Sequence, residues 1–182
     1  MKSAAKPHTT LIFGYGSLLN TESLKATVPD AFNIRPAYIK GFKRDFCLWA
    51  ADGSVAGHPE LSGTPYCAVD VHHIPESSEV NGVVFEVHEA QLPALMEREE
   101  GYTLVKTEAY DFETHEDLGT CFVFAANKHN GDFAFNSPAQ MRYLNTCLSG
   151  AKEHGEKFYQ QFIRTTFIGQ HALIDVAELG LK

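Results

Sequence analysis

The sequence predicts an α+β fold in which strands come first and helices follow. Its first two thirds hold at least five short segments rich in β-branched and aromatic residues, whereas its last third holds two segments with apolar residues at helical spacing. No internal repeat or change in composition divides the 182 residues. We therefore expect one domain over residues 1–182, large enough to bury a substantial core, with residues 1–8 as a loose arm.

The first strand is expected at residues 10–13 and runs into a loop with two glycines. The stretch LIFGYGSLL, residues 11–19, places Gly14 and Gly16 on either side of Tyr15, and Ser17 follows. Glycine lets backbone approach a ligand closely, and successive N–H groups of such a loop can form a concave anion site. A plain turn at a strand end is the simpler interpretation, and the loop taken alone favours it.

The middle elements follow in order along the chain. A helix starting at Asn20 or Thr21 is expected after the loop, and residues 31–49 are expected to be extended chain broken at Pro36 and Gly41. Further on, the pattern predicts a loop at 51–65, strands at 66–71, 80–87, 103–113 and 120–126, a helix at 89–100 and a turn at 116–119.

Two helices are expected in the last third. Ser137 as N-cap and Pro138 as first helical residue mark the start of one, and Gly155 marks its end. The spacing of Phe158 and Phe162 predicts a second, shorter helix.

Composition and charge narrow the range of partners. The chain has 15 Lys and Arg against 23 Asp and Glu and no basic run, so a nucleic-acid partner is not expected. The N-terminus lacks the apolar centre of a signal peptide, and no apolar run is long enough to cross a membrane. The four cysteines are far apart and have apolar neighbours, a pattern typical of buried, reduced thiols. These features favour a cytoplasmic protein without a membrane partner.

An acidic pair near the end of the predicted helix 89–100 is the main candidate for chemistry. Leu92, Leu95 and Met96 define an apolar face, and Glu99 falls near its middle, about 20° from Leu92, whereas Glu100 falls at its edge. Burying an unpaired carboxylate costs free energy, so an acid aimed at the core needs an explanation.

Three interpretations of this inward acid stay open. The helix ends before Glu99, which then lies in solvent; or Glu99 pairs with a buried arginine such as Arg44; or Glu99 is a general acid/base with a pKa raised by desolvation. Spacing alone does not choose between a structural role and a catalytic one.

Other combinations of reactive residues are weaker. His72 and His73 are adjacent at a predicted strand end, so their rings point to opposite faces, and no third ligand stands at metal spacing. No metal site is predicted. Ser17 does not lie in a G-x-S-x-G elbow, and the loop lacks the further glycine of a dinucleotide site and the Gly-Lys pair of a P-loop.

Two motifs carry a resemblance to a known family. The stretch FGYGSL, residues 13–18, resembles the F-x-Y-G-S-[LN] signature of the γ-glutamylcyclotransferase-like superfamily, and LMEREEGY, residues 95–102, resembles its L-x-x-x-E segment with the catalytic glutamate. Both are similar to the glutathione-specific, ChaC-type branch. Residues 143–159 resemble the family's C-terminal helix and turn, so the likeness covers nearly the whole chain.

The resemblance implies a fold, a reaction and a site. The fold is a small mixed β-barrel with flanking helices, and neither a metal nor an organic cofactor is implied. In the reaction, the α-amine of a γ-glutamyl group attacks its own γ-carbonyl, which releases 5-oxoproline and a free amine or peptide. Glu99 corresponds to the catalytic acid/base, with Glu100 as the alternative if the helical register differs. The implied substrate-binding residues are Tyr15, Gly16, Ser17, Leu18 and Tyr102.

Several alternatives remain at this point. The substrate is glutathione or another γ-glutamyl amino acid or amine, and the chain is a monomer or a homodimer. A non-catalytic module that binds a γ-glutamyl ligand is the second functional class. A hydrolase with Ser17 as nucleophile has little support in the sequence.

Overall fold

Two sheets organise the computed structural model, which describes residues 8–50, 66–74, 78–98 and 102–181. Within these residues the strands are β1 (Thr9–Gly14), β2 (Phe32–Lys40), β3 (Phe42–Ala50), β4 (Tyr66–His73), β5 (Glu79–His88), β6 (Thr103–Asp111), β7 (Asp117–Ala125), β8 (Thr166–Ile168) and β9 (His171–Ala172). The helices are α1 (Thr21–Thr27), α2 (Leu92–Arg98), α3 (Pro138–Glu153) and α4 (Glu156–Thr165).

The larger sheet is a closed barrel with the strand order β1-β5-β2-β6-β7. Its neighbours pair antiparallel except β1 and β7, whose parallel pairing closes the barrel. A closed sheet has no exposed edge, and its inward side chains form the core. The predicted fold class, α+β with a small mixed β-barrel and flanking helices, is therefore confirmed.

The smaller sheet has the order β4-β3-β8-β9 and lies beside the barrel. Strand β3 pairs antiparallel with β4 and parallel with β8. Both faces of β3 are largely buried: Phe42 and Phe46 on one side and Asp45 and Cys47 on the other are shielded from solvent. Polar groups on this strand consequently need internal partners.

The helix boundaries follow the predicted caps. The Asn20 side chain accepts a hydrogen bond from the amide of Ser23 (3.0 Å) at the start of α1, and Ser137 accepts one from the amide of Gln140 (3.3 Å) at the start of α3. Helix α3 ends before Gly155, whose φ of +99° suits glycine. These three predictions are confirmed, and so is the short helix that contains Phe158 and Phe162.

Helix α3 packs directly on the end of the glycine loop. A Cβ atom at Gly150 would lie 2.3 Å from the backbone nitrogen of Asn20, so only glycine permits this approach. The His154 ring lies 3.0 Å from the carbonyl oxygen of Leu19 and adds a polar contact at the same junction. The C-terminal third of the chain thereby supports the loop that follows β1.

The turn predicted at 116–119, between β6 and β7, is wrong. The chain reverses at residues 112–116, and the predicted turn residues Asp117, Leu118 and Gly119 belong to β7. The reason is the Asp111 carboxylate, which accepts hydrogen bonds from the amides of Glu113 and Thr114 at 2.9 Å each and fixes the turn earlier.

The expected break at Pro36 is also wrong. Pro36 lies inside β2, where its Cα partner on β5 is Val83. A register shift between Phe32 and Arg35 lies just before it, a position at which a strand tolerates the missing N–H of proline. Gly41, with φ of +79°, does separate β2 from β3 as predicted.

The apolar face predicted for residues 89–100 is only partly correct. The chain forms a single 3-10 turn at Glu89–Gln91 before α2 begins at Leu92, and Leu95 is buried. Met96, however, is 48% exposed. Glu99 and Glu100 lie outside the described residues, as do the loop predicted at 51–65 and most of the predicted N-terminal arm.

All four cysteines are buried free thiols, as predicted. Among the residues that the structure describes, no helix has the length and apolar character required to cross a membrane.

Candidate functional site

The glycine loop lines a cavity of about 120 Å³ at the end of β1. The five residues expected to bind substrate all line it: Tyr15, Gly16, Ser17, Leu18 and Tyr102. Val69 of β4 and Tyr143 of α3 contribute further wall, so barrel, second sheet and helix meet here. The structure thus brings together residues that are 84 or more positions apart in sequence, as Leu18 and Tyr102 are.

Glycine is required in this loop by close packing. A Cβ atom at Gly16 would lie 2.6 Å from Cγ2 of Val69 and 3.1 Å from the Tyr143 hydroxyl. A Cβ at Gly14 would lie 2.8 Å from Cβ of Leu18. Contacts under 3 Å cannot be accommodated without movement, so the two glycines let the loop press against its neighbours.

After Gly16 the chain makes one 3-10 turn, Ser17–Leu19. The hydrogen bonds of this turn run from the amide of Leu19 to the carbonyl of Gly16 and from the amide of Asn20 to the carbonyl of Ser17, both 3.1 Å. The first amides of a helical turn are not used by the turn itself. The amides of Ser17 and Leu18 are therefore not used by the turn, and with the amide of Gly16 they are the candidate backbone donors for an anion in this cavity.

The side chain of Tyr15 anchors the loop to the barrel. Its hydroxyl donates to the carbonyl oxygen of Phe124 (2.5 Å) and lies 3.4 Å from Oδ1 of Asp70. Only 7% of Tyr15 is exposed, so this residue shapes the cavity wall from the core side.

A fully buried arginine lies behind the loop. Arg44 donates from Nη1 to the carbonyl oxygens of Tyr15 (3.1 Å) and Asn81 (2.6 Å) and from Nη2 to Oδ1 of Asn81 (2.8 Å). Nε and Nη2 also donate to the hydroxyls of Thr166 (2.7 Å) and Thr165 (3.3 Å). Each of the five N–H groups of Arg44 thereby has an acceptor.

Burial lowers the pKa of Arg44 to about 9, so the side chain is still charged at neutral pH. Its guanidinium also stacks over the Phe162 ring, 4.2 Å from the ring centroid. The pairing with Glu99 considered above would require Arg44 to give up one of its bonds to neutral groups. Arg44 instead donates to the carbonyl oxygen of Tyr15, so its charge lies directly behind the loop that lines the cavity.

The two candidate acids, Glu99 and Glu100, lie outside the residues that the structure describes. In the sequence they stand between Arg98, the last residue of α2, and Tyr102 in the cavity wall.

Outside the FGYGSL motif, four residues of the cavity wall, Thr27, Val69, Phe124 and Tyr143, were not among the predicted site residues. Val69 and Tyr143 come from β4 and α3, and the Tyr143 hydroxyl accepts a hydrogen bond from the amide of Val69 (3.2 Å). Val69 stands in no recognisable motif, and Tyr143 stands at the start of the stretch that resembles the family's C-terminal helix. The place of both residues in the wall depends on how the sheet and the helix pack. Burial raises the pKa of Tyr143 well above its ordinary value, so its hydroxyl is neutral.

The small mixed barrel and the tight glycine loop at the cavity wall match the γ-glutamylcyclotransferase-like fold that the sequence motifs predicted. The model of the ChaC-like protein family matches residues 10–156, and the chain belongs to this family.

Solved structures agree with this assignment at the level of the fold. A γ-glutamyl cyclotransferase is 22% identical, with a TM-score of 0.65 and 85% of this chain and 86% of that chain covered. An uncharacterized human protein is 23% identical, with a TM-score of 0.62 and the same coverage. A yeast γ-glutamyl cyclotransferase specific to glutathione is 14% identical, with a TM-score of 0.56 and 94% of both chains covered. No curated protein sequence matches the chain.

Proposed function

We propose that this protein is a γ-glutamylcyclotransferase that needs no cofactor. The observation that carries the proposal is the gathering of Tyr15, Gly16, Ser17, Leu18 and Tyr102 around one cavity in a chain of the ChaC-like family. In the reaction the α-amine nitrogen of the γ-glutamyl group forms a bond to its own γ-carbonyl carbon, and the bond from that carbon to the leaving nitrogen breaks. The products are 5-oxoproline and a free amine or peptide.

The glycine loop is proposed to hold the anionic parts of the substrate. The amides of Gly16, Ser17 and Leu18 face either the α-carboxylate or the oxyanion that develops on the γ-carbonyl. The buried charge of Arg44 supports this role, because it acts on the loop through the carbonyl of Tyr15. Holding both ends of one substrate supplies the orientation that an intramolecular attack requires.

Glu99 is proposed to move the proton. The attacking amine must lose a proton and the leaving amine must gain one, and a single carboxylate can perform both transfers in turn. The support is its place in the motif and the seven-residue and four-residue spacings to Leu92 and Leu95, whose side chains pack towards the core. Glu100 is the alternative acid.

The leaving group is proposed to be cysteinylglycine, which glutathione would release, or another amino acid or amine. The yeast structure is of an enzyme specific to glutathione, and the FGYGSL and LMEREEGY motifs are of the same ChaC type. Buried free thiols fit a protein that works in the reducing cytoplasm. The chain is proposed to act as a monomer or a homodimer. Binding of a γ-glutamyl ligand without turnover is the second candidate, favoured if no acid reaches the cavity.

A substrate panel tests the proposal. The purified protein is incubated separately with glutathione, γ-glutamyl-alanine and γ-glutamyl-lysine, and 5-oxoproline is measured. Release from at least one substrate supports the cyclotransferase and identifies the leaving group. Saturable binding of these compounds without release would replace it by the binding module, and neither binding nor release would refute both.

A further inference from the structure

Four side chains with metal-ligating atoms meet on the side of the second sheet that carries Asp45 and Cys47. Asp45, Cys47, His72 and His129 each place one such atom within 4.8 Å of the other three. Nε2 of His72 lies 2.8 Å from Oδ1 of Asp45 and 3.2 Å from Sγ of Cys47, and that Sγ lies 3.3 Å from the same oxygen. Nδ1 of His129 lies 3.9 Å from Oδ2 of Asp45.

The fold explains why residues so far apart in sequence meet. Asp45 and Cys47 are two apart on β3 and therefore project to the same side. His72 lies on the adjacent strand β4, where its Cα partner is Lys43. His129 belongs to the segment after β7, and its ring stacks on the ring of His72 with 3.9 Å between centroids.

Backbone hydrogen bonds fix this segment over the sheet. The amides of Asn130 and Gly131 both donate to the carbonyl oxygen of Cys47 at 3.0 Å. The buried carboxylate of Asp70 accepts from the amides of Ala126 (3.0 Å) and Lys128 (3.3 Å). The segment is thus held by hydrogen bonds both before and after His129.

The electrostatics of the cluster suit a cation. Asp45 is buried within the cluster, and the buried carboxylate of Asp70 contacts the segment that carries His129. The ion-pair partners of Asp45 among the described residues are two histidines, His72 and His129. A divalent cation bound among these side chains would compensate the buried negative charge.

We propose that Asp45, Cys47, His72 and His129 form a zinc site. Bond lengths of 2.0–2.3 Å to nitrogen, oxygen and sulfur place the ligand atoms of a tetrahedral zinc about 3.3–3.6 Å apart. The separations here, 2.8–3.9 Å for the four pairs measured, bracket that range. A thiolate and two imidazoles favour zinc over magnesium or calcium, which prefer oxygen ligands.

The proposed site is structural. Four protein ligands complete a tetrahedral shell and leave no open position for a substrate. The metal ties β3, β4 and the segment after β7 to one another. It lies close to the candidate active site, because Asp70 contacts both this segment and the hydroxyl of Tyr15. Zinc binding can be measured without any assay of the proposed reaction.

The test uses untagged protein freed of metal by a chelator. Zinc is added and its stoichiometry and affinity are measured by calorimetry and by elemental analysis after desalting. We expect one zinc per chain. His129→Ala is the main variant, because the His129 side chain is 62% exposed and we expect its replacement to leave the fold intact. This variant should bind zinc at least about 10-fold more weakly than the wild type, and a loss of about 100-fold is within the expected range.

Two further variants complete the test. Cys47→Ser should also weaken zinc binding, and cobalt bound in place of zinc should lose its sulfur-to-metal charge-transfer absorption in this variant. His73→Ala is the matched control, since His73 is the exposed neighbour of His72 on the opposite side of β4, and it should bind zinc like the wild type. Absence of stoichiometric zinc, or unchanged affinity in either His129→Ala or Cys47→Ser, would overturn the site.

Discussion

Arg44 donates a hydrogen bond to the carbonyl oxygen of Tyr15, at 3.1 Å, from a position that is fully buried. The contact joins a charged group of the second sheet to the glycine loop of the barrel. It ties the loop to β5, because the guanidinium also holds both the carbonyl and the side chain of Asn81.

Replacing Arg44 by lysine should therefore destabilise the protein although the charge is kept. Lysine has three donors in place of five and cannot reproduce the planar geometry, so at least one buried acceptor loses its partner. Each buried group left unsatisfied costs about 1–3 kcal/mol. Urea unfolding should show the loss for Arg44→Lys and almost none for Arg164→Lys, which is exposed on α4. Equal midpoints for the two variants would mean that the network is not important for stability.

Gly16→Ala should disturb the cavity chiefly through its contact with Val69, which is closer than the contact with Tyr143. The new Cβ meets Cγ2 of Val69 at 2.6 Å, and overpacking of this kind costs about 1–3 kcal/mol. Val69→Ala removes that methyl group, so the double variant should recover part of the stability and part of the substrate affinity that Gly16→Ala loses. A double-mutant cycle measures the coupling, and purely additive effects would show that the clash is not the cause.

Acid stability should depend on Asp111 in the β6–β7 turn. Hydrogen bonds from the backbone of Thr114, the Arg35 side chain and the backbone of Glu113 hold the pKa of this carboxyl below its ordinary value. Because the folded-state pKa is depressed, the stabilisation is present above the unfolded-state pKa of about 3.9 and is lost as the pH falls through the folded-state pKa.

Asp111→Asn therefore should be less stable than the wild type at neutral pH, and the difference should shrink as the pH falls below about 4. Unfolding free energies measured across this range check the sign. Glu113→Gln, at an exposed position of the same turn, is the control. A difference that grows on acidification would contradict this assignment.

Local signals in the sequence predicted much of the fold. Asn20, Ser137 and Gly155 mark helix ends because caps depend on a few neighbouring residues, and β-branched runs mark the strands. The turn between β6 and β7 was misplaced because the decisive group, Asp111, is a side chain that binds backbone three residues away. Barrel closure through β1 and β7 has no local signal and came from the resemblance alone.

The candidate site shows the same division. The glycine loop is contiguous and was recognisable, whereas Val69 and Tyr143 line the cavity only because a strand and a helix pack against it. Only the pair His72 and His73 was considered as metal ligands, and no third ligand stood at metal spacing. Asp45 and His129, which lie close to His72 in the fold, are 84 residues apart along the chain. Contacts of this range are set by topology, which spacing cannot reveal.

The proposed reaction depends on one carboxylate, Glu99, which catalyses the release of 5-oxoproline. The most direct measurement compares Glu99→Gln with Glu100→Gln, using the substrate that the wild type turns over fastest, with circular dichroism to show that both variants are folded. We predict that Glu99→Gln lowers the rate of 5-oxoproline release by about 10²–10⁴-fold while substrate binding is kept, and that Glu100→Gln stays close to the wild type. Full turnover by Glu99→Gln would contradict the account.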